Sequence, residues 1–301
     1  MTSRIALVTA EQARAEDEDL LPLVEALAPL VEQVDTPNWD DTSIEWSEFD
    51  LVVLRSTWDY VERHLEFLSW IDSVTKVSRL VNPAPVVRWN TDKRYFRDLA
   101  AAGINVVESA FAATPQEWAA YALPTDRQFV VKPTVSAGSR DTQRFRPSDV
   151  VAARAHGDAL VARGRPIMVQ PYQEAVDHEG ETALFYFAGI YSHSINKGPL
   201  LRLDEGPTRA LFSPETITPN TPTQEQIELG YSVISALNAV PALGGVRHPL
   251  TYARVDVLTD NGGEQALLEL ELTEPSLFFG AAPGAADRFA AVLAAEVQRY
   301  S

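Results

Sequence analysis

ALLELELTEPS, at residues 266–276, sets two glutamates within a leucine-rich run. Side chains alternate between the two faces of a β-strand, so Glu269 and Glu271 are predicted to project together from one face. The opposite face would hold Leu268, Leu270 and Leu272. Unpaired carboxylates near a protein core are costly because the charges lose their hydration. We therefore expect a cationic partner beside this strand.

A hairpin is predicted to supply a third carboxylate. The apolar run TYARVDVLT at 251–259 is followed by an Asn-Gly-Gly turn, which is typical of a β-hairpin. Arg254 and Asp256 share a face of this strand, and pairing would bring Asp256 opposite Glu269 and Glu271. Two interpretations remain open at this point. The charges line a solvated outer face of the ribbon, or they form a Mg²⁺ site, since Mg²⁺ takes carboxylates together with substrate phosphates.

Composition excludes several classes of function. The 301 residues are 46% hydrophobic, which suffices for two or three lobes with their own cores. No cysteine is present, so disulfides, thiolate metal sites and a cysteine nucleophile are excluded. The formal net charge of −17 argues against a nucleic-acid partner. The N-terminal region shows neither a signal peptide nor a membrane span, and we expect a cytoplasmic protein without a membrane partner.

The first ninety residues predict an open parallel sheet. An apolar strand at 4–9 precedes a helical pattern at 20–31, and a second strand at 51–54 precedes a helix-like segment at 65–71. This alternation of strand and helix is typical of α/β folds. We place the first domain boundary near residue 90.

Two lysines are candidates for binding phosphate. Lys132 ends the strand FVVKP before the small-residue loop TVSAGSRD, whose backbone N–H groups could cover phosphates. Lys93 is predicted in the first turn of a helix capped by Asn90 or Thr91 and ended by Gly103. Lysines on helices are usually solvated, whereas a lysine that closes a buried strand is less ordinary. GxxxxGK[ST] and GxGxxG motifs are absent, so a nucleotide would bind in another way.

LRSTWDY places polar residues at the carboxyl end of a predicted parallel strand, where open α/β sheets bind ligands. Arg55 could hold a carboxylate, Ser56 and Thr57 could donate to it, and Asp59 could pair with an amino group. An amino acid would fit such a site. The alternative is a structural Arg–Asp pair with Trp58 packed beneath it.

The order of these segments resembles the ATP-grasp superfamily of carboxylate–amine ligases over roughly residues 80–280. The segments that carry the resemblance are NTDKRYFRDLAAAGI, FVVKP with its loop, VQPY, ARVDV and LLELEL. The superfamily pattern is Arg-x-Asp followed by Glu-x-Asn, and here Glu269 follows Asp256 by 13 positions. Glu271 stands where the superfamily has Asn. The resemblance implies an α/β (α+β grasp) fold in which a Rossmann-like N-terminal lobe precedes two α+β lobes that hold the nucleotide. The implied domains are residues 1–90, 91–175 and 176–301.

The resemblance also implies residue roles. Lys93 and Lys132 would contact nucleotide phosphates, Lys197 would meet the γ-phosphate, and Arg254 would stabilise charge on the transferring phosphoryl group. For Lys197, a solvated loop lysine is the alternative, and neighbouring His193 is the one histidine of interest. The implied Mg²⁺ ligands are Asp256, Glu269 and Glu271. The implied loop and adenine-binding residues are Ser136, Ala137, Gly138, Ser139, Gln170, Pro171 and Tyr172. The ribose ligand is left open among Glu174, Asp177 and Glu181. The implied substrate residues are Arg55, Ser56, Thr57, Trp58 and Asp59.

The activity that the resemblance implies is a Mg²⁺-dependent ligation driven by ATP. The γ-phosphoryl group activates a substrate carboxylate, and a nitrogen nucleophile attacks the acyl phosphate. Closure of the loops at 134–141 and 199–221 would exclude water from this intermediate.

LRSTWDY, RWNTDKRY and LLELELTEPS are most similar to a group of cyclo-ligases in antibiotic biosynthesis. These enzymes close O-ureido-D-serine to D-cycloserine and release ADP, phosphate, CO₂ and ammonia. The family implies a small amino-acid-like substrate and a homodimer formed through the first domain. An intermolecular ligase of the glutathione-synthetase type and a non-catalytic ATP-binding regulator remain as alternatives.

Overall fold

The structure is a computed structural model that describes residues 3–207 and 216–299. Within these residues the strands form three sheets, two of four strands and one of five. No helix in the described ranges combines the length and the apolar character that crossing a bilayer requires.

The first sheet is parallel, with strand order β2-β1-β3-β4. Its elements are β1 (Arg4–Thr9), α1 (Leu20–Leu27), β2 (Gln33–Asp35), β3 (Leu51–Ser56), α2 (His64–Val74) and β4 (Leu80–Val81). All of β3 and nearly all of β1 are buried, as expected of central strands that are covered on both faces. The predicted parallel sheet is therefore confirmed, and the short strands β2 and β4 add to it.

Two short helices, rather than one, connect this sheet to the rest of the chain. They are α3 (Ala84–Asn90) and α4 (Tyr95–Ala101). The prediction that Asn90 or Thr91 caps a single helix is wrong, because Asn90 ends α3 and Lys93 lies in the turn before α4. The side chain of Asn90 instead donates a hydrogen bond to the carbonyl of Leu270 and accepts one from the N–H of Leu272. The helix ends where these hydrogen bonds are made.

The second sheet is antiparallel, with strand order β5-β8-β6-β7. Its elements are β5 (Ala110–Ala112), α5 (Pro115–Ala120), β6 (Phe129–Pro133), β7 (Gln143–Phe145), α6 (Val150–Ala162) and β8 (Ile167–Pro171). One face buries Phe129 and Val131 against Trp118 of α5 and Leu160 of α6. The alternation along β6 therefore turns Lys132 to the opposite face.

The third sheet is antiparallel, with strand order β11-β10-β9-β12-β13. Its elements are α7 (Val176–Glu179), β9 (Glu181–Phe187), β10 (Ile190–Lys197), β11 (Ile217–Pro219), α8 (Gln224–Ala236), β12 (Tyr252–Thr259), β13 (Gln265–Glu271) and α9 (Ala285–Gln298). Val233 of α8 packs with Val255 and Val257 of β12. Because side chains alternate along the strand, Arg254 and Asp256 project from the other face.

The hairpin of β12 and β13 carries a β-bulge. The one-to-one register is lost between Asp256 and Val257, and Leu268 is the extra residue on the opposite strand. The prediction that Leu268 shares the buried face is therefore wrong. The leucines of β13 and its end that pack together in the core are Leu267, Leu270 and Leu272.

The C-terminal helix returns to the first sheet. α9 packs against α1, and Phe289 belongs to the same buried cluster as Leu23 and Leu51. The three sheets occupy residues 4–81, 110–171 and 181–271. The division of the chain near residues 90 and 175 stays a prediction.

Candidate active site

A cavity lies between the second and third sheets, and its wall collects most of the predicted site residues. Lys132 reaches it from β6, Lys197 from β10, Arg254 from β12, and Glu269 and Glu271 from β13. Lys93 and the loop after β6 complete this part of the wall. Residues separated by more than a hundred positions thus face one space.

Basic side chains supply the cationic partners that the glutamate pair requires. Arg254 Nε donates to Asp256 Oδ1 at 2.9 Å and Nη2 donates to Oδ2 at 3.0 Å, while Nη2 also donates to Glu271. Lys93 Nζ lies 3.0 Å from Glu269 Oε1. The solvated outer face is therefore excluded, because these carboxylates lie in an ion-pair network, with Glu269 and Glu271 in the cavity wall and Asp256 buried behind it.

Asp256 is the most enclosed member of this network. It is fully buried, and Lys197 Nζ donates to its Oδ2 at 2.6 Å while also lying 3.1 Å from Glu181 Oε2. Burial alone would raise the pKa of Asp256, but Arg254 and Lys197 outweigh it and lower that pKa below its ordinary value. Asp256 is therefore held as a carboxylate.

The two glutamates of β13 have opposite shifts in pKa. Burial and the neighbouring carboxylates raise the pKa of Glu271 more than Arg254 lowers it. Burial also opposes ionisation of Glu269, but the surrounding lysines, led by Lys93, lower its pKa. Burial lowers the pKa of Lys132 to about 8. An anionic ligand at this end of the cavity would favour the charged form of Lys132.

The carboxylates fit a hard cation only in part. Among residues 3–207 and 216–299, no three His, Cys, Asp or Glu side chains already converge as a metal-ligand set. Both oxygens of Asp256 are engaged by Arg254 and Lys197. Glu269 and Glu271 face the cavity with side chains 26% and 27% exposed. Because Mg²⁺ takes one or two carboxylates together with substrate phosphates, this pair fits, and Asp256 fits only when its ion pairs open.

The loop after β6 covers the lysine end of the cavity. Lys93 Nζ donates to the carbonyl of Ser136 at 2.8 Å and lies 3.2 Å from its hydroxyl oxygen. Gly138 and Ser139 both have left-handed backbone conformations, with φ of 58° and 59°. All four predicted loop residues line the cavity; they are Ser136, Ala137, Gly138 and Ser139.

The hinge from Gln170 to Tyr172 forms the opposite end. Its backbone and the side chains of Val130, Val176 and Leu258 make an apolar wall. The Arg144 guanidinium lies 3.3 Å from the centroid of the Tyr172 ring. An apolar slot of this kind suits a flat heteroaromatic ring.

The structure separates the three ribose candidates. Glu181 lines the cavity, whereas Glu174 and Asp177 are exposed and lie outside its wall. Asp177 accepts hydrogen bonds from Arg144 at 3.1 and 3.0 Å and from the Tyr172 hydroxyl at 2.6 Å. The prediction that Glu174 or Asp177 binds the ribose is therefore wrong, and Glu181 remains the candidate.

The predicted carboxylate clamp in LRSTWDY is wrong. Arg55 is 1% exposed, and its guanidinium donates to the carbonyl of Pro275 at 3.0 Å and to Asp17 at 3.5 Å. Asp59 accepts a hydrogen bond from the Trp39 indole at 2.8 Å. The chain near Pro275 covers the end of β3, so these side chains do not reach the cavity. The predicted substrate residues that do not line the cavity are Arg55, Ser56, Thr57 and Asp59. Trp58, in contrast, does line it.

Asp19 holds this covering segment in place. Its carboxylate accepts backbone N–H bonds from Leu277 at 2.6 Å, Phe278 at 3.0 Å and Phe279 at 2.7 Å. Phe278 has a left-handed φ of 51°, an unusual conformation for a bulky residue. Ser276 and Phe278 line the cavity, so a residue of the first sheet's loop positions part of its wall.

Sequence patterns did not reveal several residues of the cavity wall. Tyr60 and Glu274 line the cavity together with Trp58, whose indole nitrogen donates to the carbonyl of Glu274 at 2.9 Å. Both lie in the quoted motifs, but a strand pattern gives no direction for residues beyond its end. Of the predicted 199–221 loop, Leu200 and Leu201 line the cavity, and residues 208–215 lie outside the described part of the chain.

Two antiparallel sheets around a lysine- and carboxylate-lined cavity, preceded by a parallel lobe, define an ATP-grasp ligase. The sequence matches the family described as D-cycloserine synthetase DcsG, N-terminal domain, over residues 5–82. It is 38% identical over 296 residues to the cycloserine biosynthesis protein DcsG of Streptomyces lavendulae, covering 96% of this chain and 97% of that protein. The chain belongs to the DcsG family and is an ATP-dependent ligase.

Solved structures agree with this assignment. The crystal structure of D-cycloserine synthetase DcsG is 36% identical and superposes with a TM-score of 0.88, covering 98% of this chain and 100% of that one. D-alanine–D-alanine ligase from Bacillus anthracis complexed with ATP has a TM-score of 0.68 at 13% identity, covering 100% of this chain and 98% of that one. The second likeness concerns the fold alone.

Proposed function

We propose that this ligase closes O-ureido-D-serine to D-cycloserine, using ATP and releasing ADP, phosphate, CO₂ and ammonia. The observation that carries the proposal is the similarity to D-cycloserine synthetase along nearly the whole chain. The cavity supports it, because Lys93, Lys132 and Lys197 line it together with Arg254 and the aromatic residues Trp58 and Tyr60. The homodimer implied by the family stays a prediction.

The lysines would hold the triphosphate in this mechanism. Lys93, Lys132 and Lys197 face one another across the cavity, and phosphate oxygens would replace some of their present carboxylate partners. Arg254 would donate to oxygens on which charge develops during phosphoryl transfer. Mg²⁺, when bound, neutralises phosphate charge, and Glu269 and Glu271 would hold it.

The bond changes can be written in three steps. The substrate carboxylate oxygen forms a bond to the γ-phosphorus as the bond to the β-bridging oxygen breaks, giving ADP and an acyl phosphate. The oxyamine nitrogen of the ureido group then attacks the acyl carbon, loses its proton and expels phosphate, which closes the ring. Water finally hydrolyses the carbamoyl group on the ring nitrogen, which leaves as CO₂ and ammonia.

The cavity walls would limit side reactions. Trp58, Tyr60 and Phe278 enclose the end where the amino acid would lie, and the loop at 136–139 covers the phosphate end. Excluding bulk water protects an acyl phosphate from hydrolysis before the ring closes. A non-catalytic regulator is disfavoured, because binding alone would not require Arg254 and the carboxylates beside it.

The test is ADP release by the purified protein with Mg-ATP and O-ureido-D-serine, beside a panel of amino acids offered singly and in pairs. Turnover with O-ureido-D-serine alone, with D-cycloserine identified by mass, is the expected result. ADP release only with a pair of substrates would identify an intermolecular ligase instead. ATP binding without turnover would favour the regulator.

A variant pair tests the metal assignment in the same assay. Glu269→Gln is expected to abolish Mg²⁺-dependent turnover, because it removes a charged oxygen donor from the cavity. Glu264→Gln, at an exposed position in the turn between β12 and β13, is the matched control and should retain full activity. Ordinary turnover by Glu269→Gln would exclude Glu269 as a metal ligand.

A further inference from the structure

Glu274 is a cavity carboxylate that the mechanism above does not use. It lies three residues beyond β13 and lines the cavity together with Trp58 and Tyr60. The Tyr60 hydroxyl lies beside its carboxylate, and the Trp58 indole donates to its backbone carbonyl at 2.9 Å. Two aromatic residues from the first domain thus fix the position of Glu274.

Its electrostatic setting differs from that of the other carboxylates in the cavity. Glu181 pairs with Lys197, Glu269 with Lys93, and Glu271 with Arg254, whereas Glu274 enters no ion pair within the ranges that the structure describes. Burial raises the pKa of Glu274 to about 7. A half-buried carboxylate without a cationic partner gains most from a ligand that brings a positive charge.

We propose that Glu274 binds the α-ammonium group of the amino-acid substrate at the part of the cavity that Trp58 and Tyr60 also line. The inference rests on the proposed function in taking an α-amino carboxylate as substrate. Aromatic side chains attract ammonium groups, and Trp58 and Tyr60 both line the cavity beside Glu274.

The position of Arg254 agrees with this assignment. Its guanidinium donates to Glu271 and, at 3.4 Å, to the carbonyl of Ser276, which lies two residues beyond Glu274. In an α-amino acid, the carbon that bears the ammonium group also bears the carboxylate. A substrate whose reacting carboxylate lies at Arg254 would therefore place its ammonium group at the nearby aromatic end.

The consequence is selectivity for substrates that carry an α-amino group. A des-amino analogue, 3-(ureidooxy)propanoate, would leave Glu274 without a cation but would keep the reacting carboxylate and the ureido group. Glu274 would therefore determine the substrate KM rather than the affinity for ATP.

The experiment compares wild-type enzyme with Glu274→Gln and with Glu264→Gln as the matched control. KM and kcat are measured by ADP release with O-ureido-D-serine, with its des-amino analogue and with varied ATP. Truncating one partner of a buried charge pair weakens binding by about 30-fold or more. We expect Glu274→Gln to raise the KM for O-ureido-D-serine by that factor and to leave the KM for the analogue and for ATP unchanged. Tyr60→Phe should raise the same KM by a smaller factor.

Two results would overturn the inference. An unchanged KM for O-ureido-D-serine in Glu274→Gln would show that Glu274 does not bind the ammonium group. An equal rise in KM for the substrate and its des-amino analogue would assign Glu274 a purely structural role. If the wild type does not turn over O-ureido-D-serine, the proposed function fails separately. The comparison is then made with the amino acid that does release ADP and with its des-amino analogue.

Discussion

Replacing Asp19 with alanine should destabilise the protein far more than the loss of an ordinary aspartate. Asp19 is 4% exposed, and its carboxylate accepts three backbone N–H bonds from residues 277–279, at 2.6 to 3.0 Å. It also lies 3.6 Å from the Arg55 guanidinium. The substitution would leave these donors without an acceptor and would weaken the charge balance around Arg55.

The magnitude follows from the number of donors. A buried donor that loses its partner costs about 1–3 kcal/mol. Three donors with partial relaxation of the segment give an expected loss of about 4 kcal/mol in the free energy of unfolding for Asp19→Ala. Asp19→Asn keeps one acceptor oxygen, so we expect roughly half of that loss.

Urea denaturation followed by tryptophan fluorescence measures this loss, provided that the m-values of the variants agree. Asp50→Ala is the control, because Asp50 is exposed and accepts one backbone N–H bond, from Arg4 at 2.8 Å. It should cost about 1 kcal/mol or less. A loss for Asp19→Ala no greater than that of the control would refute the role of Asp19 in holding the segment.

Three further predictions concern single residues. Asn90→Ala should lower the free energy of unfolding by about 2–4 kcal/mol, because the carbonyl of Leu270 and the N–H of Leu272 lose their hydrogen-bond partner. Thermal unfolding would measure this loss. Burial lowers the pKa of His193 from 6.5 to about 4, so the unfolded chain binds the extra proton between these values. The free energy of unfolding is therefore not reduced by protonation of His193 above pH 6.5, and it falls as the pH decreases toward 4. His193→Gln should remove about 3 kcal/mol of this pH dependence. An unchanged pH dependence in the variant would contradict the lowered pKa of His193. Lys132→Met should raise the KM for ATP about 30-fold through loss of a charged phosphate contact, whereas the exposed-site control Lys76→Met should not.

Local patterns were sufficient for most of the elements. The apolar runs that became β1, β3, β6, β12 and β13 were identified because buried strands are continuous and turns carry Gly and Asn. Short elements such as β4 and β11 were missed, since two or three residues show no period. The bulge at Leu268 was missed for a related reason: register depends on the partner strand rather than on the sequence of one strand.

The candidate site was likewise predictable only in part. Lys132, Arg254, Asp256, Glu269 and Glu271 follow from alternation along strands, which fixes the face from which a side chain projects. The structure places all of them except Asp256 in the cavity wall, and Asp256 is buried beneath Arg254 and Lys197. Their assigned roles in binding phosphate and metal stay predictions.

The sequence by itself determined that the chain has α/β and hairpin elements, and which strand faces carry charge, because both depend on spacing along the chain. Only the tertiary structure decided which charges meet and which residues reach the cavity. Arg55 is enclosed by Asp17 and the chain near Pro275, while Glu274 lies beside Tyr60, more than two hundred positions away. The path of an irregular segment over a sheet edge depends on long-range contacts such as those of Asp19, which no local pattern contains.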